Sequence, residues 1–219
     1  MSSKLRLGVL ASGGGTNLQA IIDRIQDGSL NAEIVLVLSN KPTAGALQRG
    51  RRAGIPVCCI EQQDYPDRPA CDRAMVAVLR EARVELVILA GFMRLLSAQF
   101  LDAFPHRILN IHPALLPAFP GLNAQQQALQ HGARLSGCTV HFVDSGVDTG
   151  PIVLQAAVPV LENDSVETLS QRILRQEHRI YPEAIRLFAE GRLRILDRRV
   201  TIVRPAENPE EVLINPPVA

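Results

Sequence analysis

Short apolar runs alternate with stretches of helical periodicity along most of the chain. In the first half the apolar runs are Leu5 to Ala11, Glu33 to Leu38, Ile55 to Ile60 and Glu85 to Ala90. Between them, helical spacing or helix-boundary residues mark Leu18 to Ile25, Thr43 to Ala53 and Arg68 to Ala82. This rhythm predicts right-handed βαβ units. We therefore expect an α/β fold: a single-domain, open, mostly parallel twisted sheet with helices on both faces.

A fifth apolar run, Ile108 to His112, ends in polar residues and is stopped by Pro113. In an extended strand, Asn110 and His112 project on the same side, so two hydrogen-bonding groups converge. The local pattern by itself favours a half-buried edge strand with satisfied polar groups. The alternative is a catalytic strand end.

The second half of the chain predicts later, antiparallel strands. Ser136 to Val143 and Pro151 to Val160 have strand patterns, and a long helix follows Ser165, interrupted or bent before Pro182. Periodicity is lost after Ile195. We expect a core domain over 1–195 and an extension over 196–219 that forms a short strand or hairpin and then a loose tail.

Composition narrows the possible partners. The formal charge is +1, and no basic cluster is interleaved with aromatic residues, so neither nucleic acid nor a membrane is expected as a partner. The arginines at 49, 51 and 52 are interpreted as a solvated helix face. The four cysteines form no CxxC pair, which favours a reducing, cytoplasmic setting. The apolar run near the N-terminus is too short for a signal sequence or a spanning helix.

A glycine-rich loop, Ser12 to Asn17, joins the first strand to the first helix. Glycines allow close backbone approach, and a helix start favours an anion such as phosphate. The Gly spacing matches neither the dinucleotide fingerprint nor the P-loop. A phosphate site and a tight turn without a ligand both remain open.

Two further loops follow predicted strands. The segment from Gly91 to Leu96 is apolar and could line a pocket for a flat ring, although core packing is the simpler interpretation. The loop from Asp144 to Asp148 carries carboxylates. Together with Asn110 and His112, they suggest acyl transfer without a covalent nucleophile. Amide and imidazolium can donate to an oxyanion, and a carboxylate such as Asp148 favours the protonated imidazole.

The other histidines are assigned no catalytic role. His141 is either a satisfied core residue, which is favoured, or a neighbour of the site. The remaining ones are interpreted as surface or packing residues: His106, His131 and His178.

Several separate motifs then carry a resemblance. In order they are SGGGTNLQAI, SNKPTAGAL, LAGFMRLLS, ILNIHPALLPAFPG, CTVHFVDSGVDTGPIVLQ and QEHRIYPEAI. The combination resembles the phosphoribosylglycinamide formyltransferase family, folate-dependent enzymes of purine biosynthesis, from about Leu5 to Ile195. The resemblance implies formyl transfer from 10-formyltetrahydrofolate, a reduced folate, to the amine of glycinamide ribonucleotide, with no metal.

The resemblance also assigns roles to residues. Asn110, His112 and Asp148 match the catalytic trio, with His112 as proton donor. The substrate would be bound by Gly15, Thr16 and Asn17 at its phosphate and by Glu177. The folate would be contacted by Arg68 at its glutamate tail and by Met93, Arg94, Leu95, Leu96, Asn110, Val143 and Asp144. Gly14 stands where many members have Asn, a difference that backbone binding of phosphate should tolerate.

Three alternatives are weighed against this assignment. Methionyl-tRNA formyltransferase would need a further C-terminal domain, and formyltetrahydrofolate deformylase an N-terminal regulatory domain, so length disfavours both. A non-catalytic nucleotide- or folate-binding module would not need the trio. The sequence does not decide between a monomer and a homodimer.

Overall fold

The structure is a computed structural model that describes residues 3–203 and 214–215. The chain divides into two compact units, Met1–Asn110 and Ile111–Ala219.

The first unit is built on a parallel sheet. Its strands are β1 (Leu5–Leu10), β2 (Ala32–Ser39), β3 (Val57–Cys59), β4 (Leu86–Leu89) and the beginning of β5 (Ile108–His112). They lie in the order β3-β2-β1-β4-β5, and all four neighbouring pairs are parallel. Because the strands are parallel, their carboxyl ends and the loops that follow lie at one edge of this sheet. Strands β2 and β3 lie on one side of β1, and β4 and β5 lie on the other. The direction of the strand order therefore reverses between β1 and β4, which is the topological switch point of the sheet.

The helices of the first unit follow its strands along the chain. They are α1 (Thr16–Gln26), α2 (Gly45–Arg52), α3 (Arg68–Glu81) and α4 (Ala98–Ala103). Asp67 caps α3 by accepting a hydrogen bond from the Ala70 amide at 2.7 Å. The sequence pattern missed α4, because six residues are too few to show helical periodicity. Its Phe100 is fully buried and lies 5.7 Å from the Phe104 ring, which anchors this short helix.

The second unit contains the antiparallel strands. Its elements are α5 (Ala124–Gln130), β6 (Leu135–Phe142), β7 (Ile152–Pro159), α6 (Val166–Ala189), β8 (Leu193–Leu196), β9 (Arg199–Ile202) and β10 (Ile214–Asn215). The pairs β6·β7, β8·β9 and β10·β7 are antiparallel, and β9 meets β7 in parallel at its first residue. Helix α6 packs on β6 and β7.

The predicted interruption of the long helix before Pro182 is wrong, because helix α6 continues through this proline. The alternative, a bend at this point, stays a prediction. A proline inside a helix costs about 3 kcal/mol through its missing amide and the clash of its ring. The residues around it, including Ile180, Tyr181 and Ile185, are fully buried. Burying such side chains contributes about 1.5–3 kcal/mol each, which outweighs the cost of the proline.

The predicted fold class is confirmed: an α/β fold with a mostly parallel sheet and late antiparallel strands. After α6 the chain forms the β8–β9 hairpin. The predicted loose tail falls largely on residues outside the described part of the chain. The division at residue 195 stays a prediction.

Candidate active site

Ser12 joins three loops at the carboxyl edge of the first unit's sheet. Its hydroxyl donates to Asn40 Oδ1, which follows β2, at 2.6 Å and accepts from the Met93 amide, which follows β4, at 2.8 Å. The Ser12 amide donates to Gly91 O at 3.0 Å. Asn110 ends the pairing of β5 with β4, opposite Leu89, at the same edge. The glycine loop, the apolar loop and Asn110 are therefore gathered on one edge.

The carbonyl groups of the glycine loop are bound by the start of α2. Gly13 O accepts from the Ala46 amide at 3.1 Å, and Gly14 O accepts from Arg49 Nε at 2.8 Å. In a trans peptide the C=O and the next N–H point in opposite directions. The amides of Gly14 and Gly15 therefore face away from α2, as a cradle for an anion requires.

Gly15 is required by this geometry. Its φ of 74° lies in the left-handed region, and a Cβ there would come within 2.7 Å of Ala46 Cα. As the N-cap residue immediately before α1, Gly15 supplies no side chain to cap the first turn, which Thr16 and Asn17 begin. The helix start therefore keeps its affinity for an anionic ligand.

Residues 91–97, which we call the 91–97 loop, present apolar side chains on a fixed backbone. Met93 and Leu95 are 64% and 58% exposed, and Leu96 is half-buried. The Arg94 side chain behaves differently, since its guanidinium is only 10% exposed and pairs with Asp72 at 3.0 Å. Arg94 can therefore meet a ligand through its backbone, while its guanidinium holds the loop.

His112 lies at the end of β5, two residues after Asn110 and on the same face of that strand. Its Nδ1 lies 3.2 Å from Asp148 Oδ2, and its Nε2 lies 2.8 Å from Phe119 O. A carboxylate and a carbonyl oxygen can only accept hydrogen bonds. Both ring nitrogens of His112 are therefore placed to donate a hydrogen bond when they carry a proton.

Asp148 is the acceptor on which several donors converge. Besides His112, the Gly121 amide donates to its Oδ2 at 2.8 Å, and His141 Nε2 lies 3.6 Å from its Oδ1. Burial opposes ionisation of Asp148, but the contact with His141 Nε2, the hydrogen bond from the Gly121 amide and the coulombic effect of the two histidines outweigh it and lower the pKa of Asp148. Asp148 is therefore a carboxylate at neutral pH.

The loop that carries Asp148 is braced from within. Asp144 accepts from the Gly146 amide at 3.0 Å and from Thr149 Oγ1 at 2.6 Å, and both Val143 and Asp144 are half-buried. At the end of this loop a Cβ on Gly150 would lie 1.8 Å from Phe142 O, so only glycine fits there. Asp148 itself has a φ of 54°, a conformation that Asp tolerates better than most residues.

Two predicted binding residues lie on helices. Glu177 is 7% exposed on the inward face of α6. Burial raises the pKa of the Cys138 thiol on β6, and the charge of Glu177 adds to this effect, so the carboxylate lies close to that strand. Arg68 is exposed at the first position of α3, where its guanidinium is open to solvent.

The structure thus brings the predicted residues together in two groups. In the first unit the glycine loop and the 91–97 loop meet through Ser12, and in the second His112 pairs with Asp148. His141, which the sequence left between two interpretations, is buried and also contacts Asp148.

The sequence analysis did not identify Asp72. It assigned Arg49 to a solvated helix face, but in the structure Arg49 binds Gly14 O and also donates to Gln19 Oε1 at 3.2 Å. The spacing of Asp72 could have indicated that it is buried. It lies three residues before Met75 and seven before Leu79, on the apolar face of α3.

Two general features concern the described part of the chain alone. Within it, no group of three or more His, Cys, Asp or Glu side chains could hold a metal ion. None of its helices combines the length and the apolar character that crossing a membrane requires.

Comparisons with known proteins assign the family. The model of the family described as Formyl transferase matches residues 5–185. The chain is 51% identical over 209 residues to the trifunctional purine biosynthetic protein adenosine-3 of Drosophila pseudoobscura pseudoobscura, covering 94% of this chain but 15% of that protein. It is 44% identical to phosphoribosylglycinamide formyltransferase of Haemophilus influenzae, covering 88% of this chain and 91% of that one.

A solved structure agrees. Glycinamide ribonucleotide transformylase 1 from Symbiobacterium toebii superposes with a TM-score of 0.92 at 57% identity, covering 93% of this chain and 96% of that chain. The chain therefore belongs to the formyl transferase family and, within it, to the phosphoribosylglycinamide formyltransferases.

Proposed function

We propose that the protein transfers the formyl group of 10-formyltetrahydrofolate to the amine of glycinamide ribonucleotide in purine biosynthesis. The observation that carries the proposal is the His112–Asp148 pair, in which both ring nitrogens of a buried histidine face acceptors. A donor of this kind suits a reaction in which negative charge develops on oxygen. A module that only bound folate or nucleotide would have no use for it.

The proposed binding roles follow the two groups of residues. Gly15, Thr16 and Asn17 hold the phosphate of the ribonucleotide at the start of α1, and Glu177 holds its amine-bearing part. The pteridine lies on the 91–97 loop and meets Met93, Leu95, Leu96 and the Arg94 backbone. Asn110, Val143 and Asp144 complete the contacts of the folate, with Arg68 towards its glutamate tail.

The proposed reaction is a direct attack. The lone pair of the amine forms a bond to the formyl carbon, and the C=O π electrons move onto the oxygen. Asn110 and the Nε2–H of His112 stabilise this oxyanion, which takes the place that Phe119 O occupies in the structure. When the carbonyl re-forms, the bond to N10 of the folate breaks and N10 receives a proton from His112, which is replaced by the proton that Asp148 takes from the amine. The amine loses its proton to Asp148 through water.

We further propose that small molecules are the principal partners and that nucleic acid and membranes are not, in keeping with a formal charge of +1. A cytoplasmic location is proposed because all four cysteines are free thiols. The assembly proposed is a monomer or a homodimer.

The test is a formyl-transfer assay with 10-formyltetrahydrofolate and glycinamide ribonucleotide, run beside a reaction without the acceptor. We expect formylated ribonucleotide and tetrahydrofolate in equal amounts, with little hydrolysis when the acceptor is absent. Hydrolysis at the same rate with and without the acceptor would contradict the proposal and indicate a deformylase. Folate binding without either reaction would indicate a binding module.

A further inference from the structure

Asp72 is a carboxylate placed deep in the first unit. It lies on α3 among the apolar residues Cys71, Met75 and Leu79, and its side chain has no solvent exposure. A buried carboxylate is costly unless it is paired and hydrogen-bonded. Asp72 meets this requirement, and both of its partners belong to the 91–97 loop.

The two carboxylate oxygens bind two different points of that loop. Oδ1 accepts from Arg94 Nη2 at 3.0 Å, and Oδ2 accepts from the Ser97 amide at 2.6 Å. The second bond is to the main chain, so it fixes the backbone itself. Asp72 therefore determines where the chain runs between residues 94 and 97.

Arg94 extends the same anchor outward. Its Nη2 also donates to Gln62 Oε1 at 2.5 Å, and its Nη1 lies 3.1 Å from Cys71 Sγ. At the other end of the loop, Ser12 Oγ accepts from the Met93 amide. The loop is thus fixed at both ends while Met93 and Leu95 remain exposed between them. Exposed apolar side chains on a backbone fixed this firmly indicate a preorganised binding surface.

We propose that Asp72 is a positioning residue for the folate-binding surface, acting through the Ser97 amide and the Arg94 guanidinium. The inference rests on the proposed function, because it takes the ligand of the 91–97 loop to be the reduced folate. Asp72 touches neither substrate. Its effect is to hold the Arg94–Ser97 backbone in the position that accepts the pteridine.

The test is the variant Asp72→Asn, which offers one acceptor oxygen where the wild-type chain has two. We expect the Kd for 10-formyl-5,8-dideazafolate and the KM for the formyl donor to rise about tenfold. The KM for glycinamide ribonucleotide should stay within about twofold of wild type. Because the change removes a buried charge partner and could impair folding, Gln62→Ala is tested as well; it removes a half-buried partner of Arg94 and should raise the donor KM several-fold.

A matched control separates positioning from stability. Asp164→Asn removes another well-buried carboxylate, 3% exposed and paired with Arg172 at 2.6 Å. It should lower the Tm without a selective change in donor binding.

If Asp72→Asn and Gln62→Ala leave donor binding unchanged, or alter both substrates equally, the proposal is overturned. Hydrolysis of the donor by the wild-type protein, without transfer of the formyl group, would defeat only the proposed function. The effect of Asp72→Asn on the Kd for 10-formyl-5,8-dideazafolate would still test the role of Asp72. A wild-type protein that does not bind this folate would defeat both.

Discussion

The variant Asp148→Asn tests the pairing at the proposed catalytic centre. Asp148 accepts hydrogen bonds from Gly121 and His112 through Oδ2 and faces His141 through Oδ1. Asparagine has the same shape and tolerates the φ of 54° at this position, so the backbone need not move. The substitution removes the charge and leaves one acceptor oxygen for three donors.

The expected magnitude follows from these contacts. A hydrogen bond to a charged group contributes about 1.5–3 kcal/mol, so the substitution should destabilise the fold by about 2–4 kcal/mol. The larger effect is on catalysis. Without the carboxylate, the ring of His112 loses the acceptor that faces its Nδ1. Loss of an oxyanion donor costs about 2.7–4 kcal/mol of barrier, a factor of about 10²–10³ in turnover.

The assay is steady-state formyl transfer measured from pH 6 to pH 9. We expect the variant's turnover to fall at least about a hundredfold at neutral pH and its dependence on pH to change, because the carboxylate beside the His112 ring is gone. Asp197→Asn is the matched control, because Asp197 is exposed and has a φ of 53°. A pH–rate profile of Asp148→Asn with the shape of the wild-type profile would contradict a catalytic pairing of His112 with Asp148.

The remaining predictions concern the glycine loop and acid stability. Arg49→Ala removes the bond to Gly14 O and should raise the KM for glycinamide ribonucleotide about tenfold in steady-state assays, whereas Arg51→Ala, an exposed arginine of the same helix, should not. An equal effect of the two would contradict the proposed role of Gly14 O. Because the pKa of Asp148 is lowered on folding, its carboxylate stabilises the fold above about pH 4, and this contribution is lost as the pH falls through the folded pKa. In urea titrations the stability difference between wild type and Asp148→Asn should therefore shrink below about pH 4; a difference that does not change with pH would argue against the lowered pKa.

The parts of the fold that were predictable are those in which local pattern and tertiary structure agree. Buried parallel strands read as continuous apolar runs, and β5 was predicted with the bounds that the structure gives it, Ile108–His112. Helix α4 could not be predicted because its six residues are too few to show helical periodicity. The interruption predicted at Pro182 is absent because burial of its neighbours outweighs the local preference against proline within a helix.

The site was predictable only as far as strand ends and motifs reveal it. Asn110, His112 and Asp148 could be named from the sequence, but the partner of His112 Nε2, Phe119 O, depends on the path of a loop. The inward turn of the Arg94 guanidinium could not be foreseen either, since its partner Asp72 lies 22 residues earlier in the chain. Contacts between residues so far apart in sequence follow from packing and leave no local pattern.

The variant His112→Ala, assayed for formyl transfer and for binding of 10-formyl-5,8-dideazafolate, tests whether the buried imidazole of His112 acts in catalysis. His112 is 4% exposed, so its removal takes away a buried donor. His106→Asn, at an exposed position with a φ of 55°, serves as the control. We expect His112→Ala to lower kcat by about a hundredfold or more while the folate Kd stays within about threefold of wild type. Turnover close to that of the wild-type protein would contradict a catalytic role of His112.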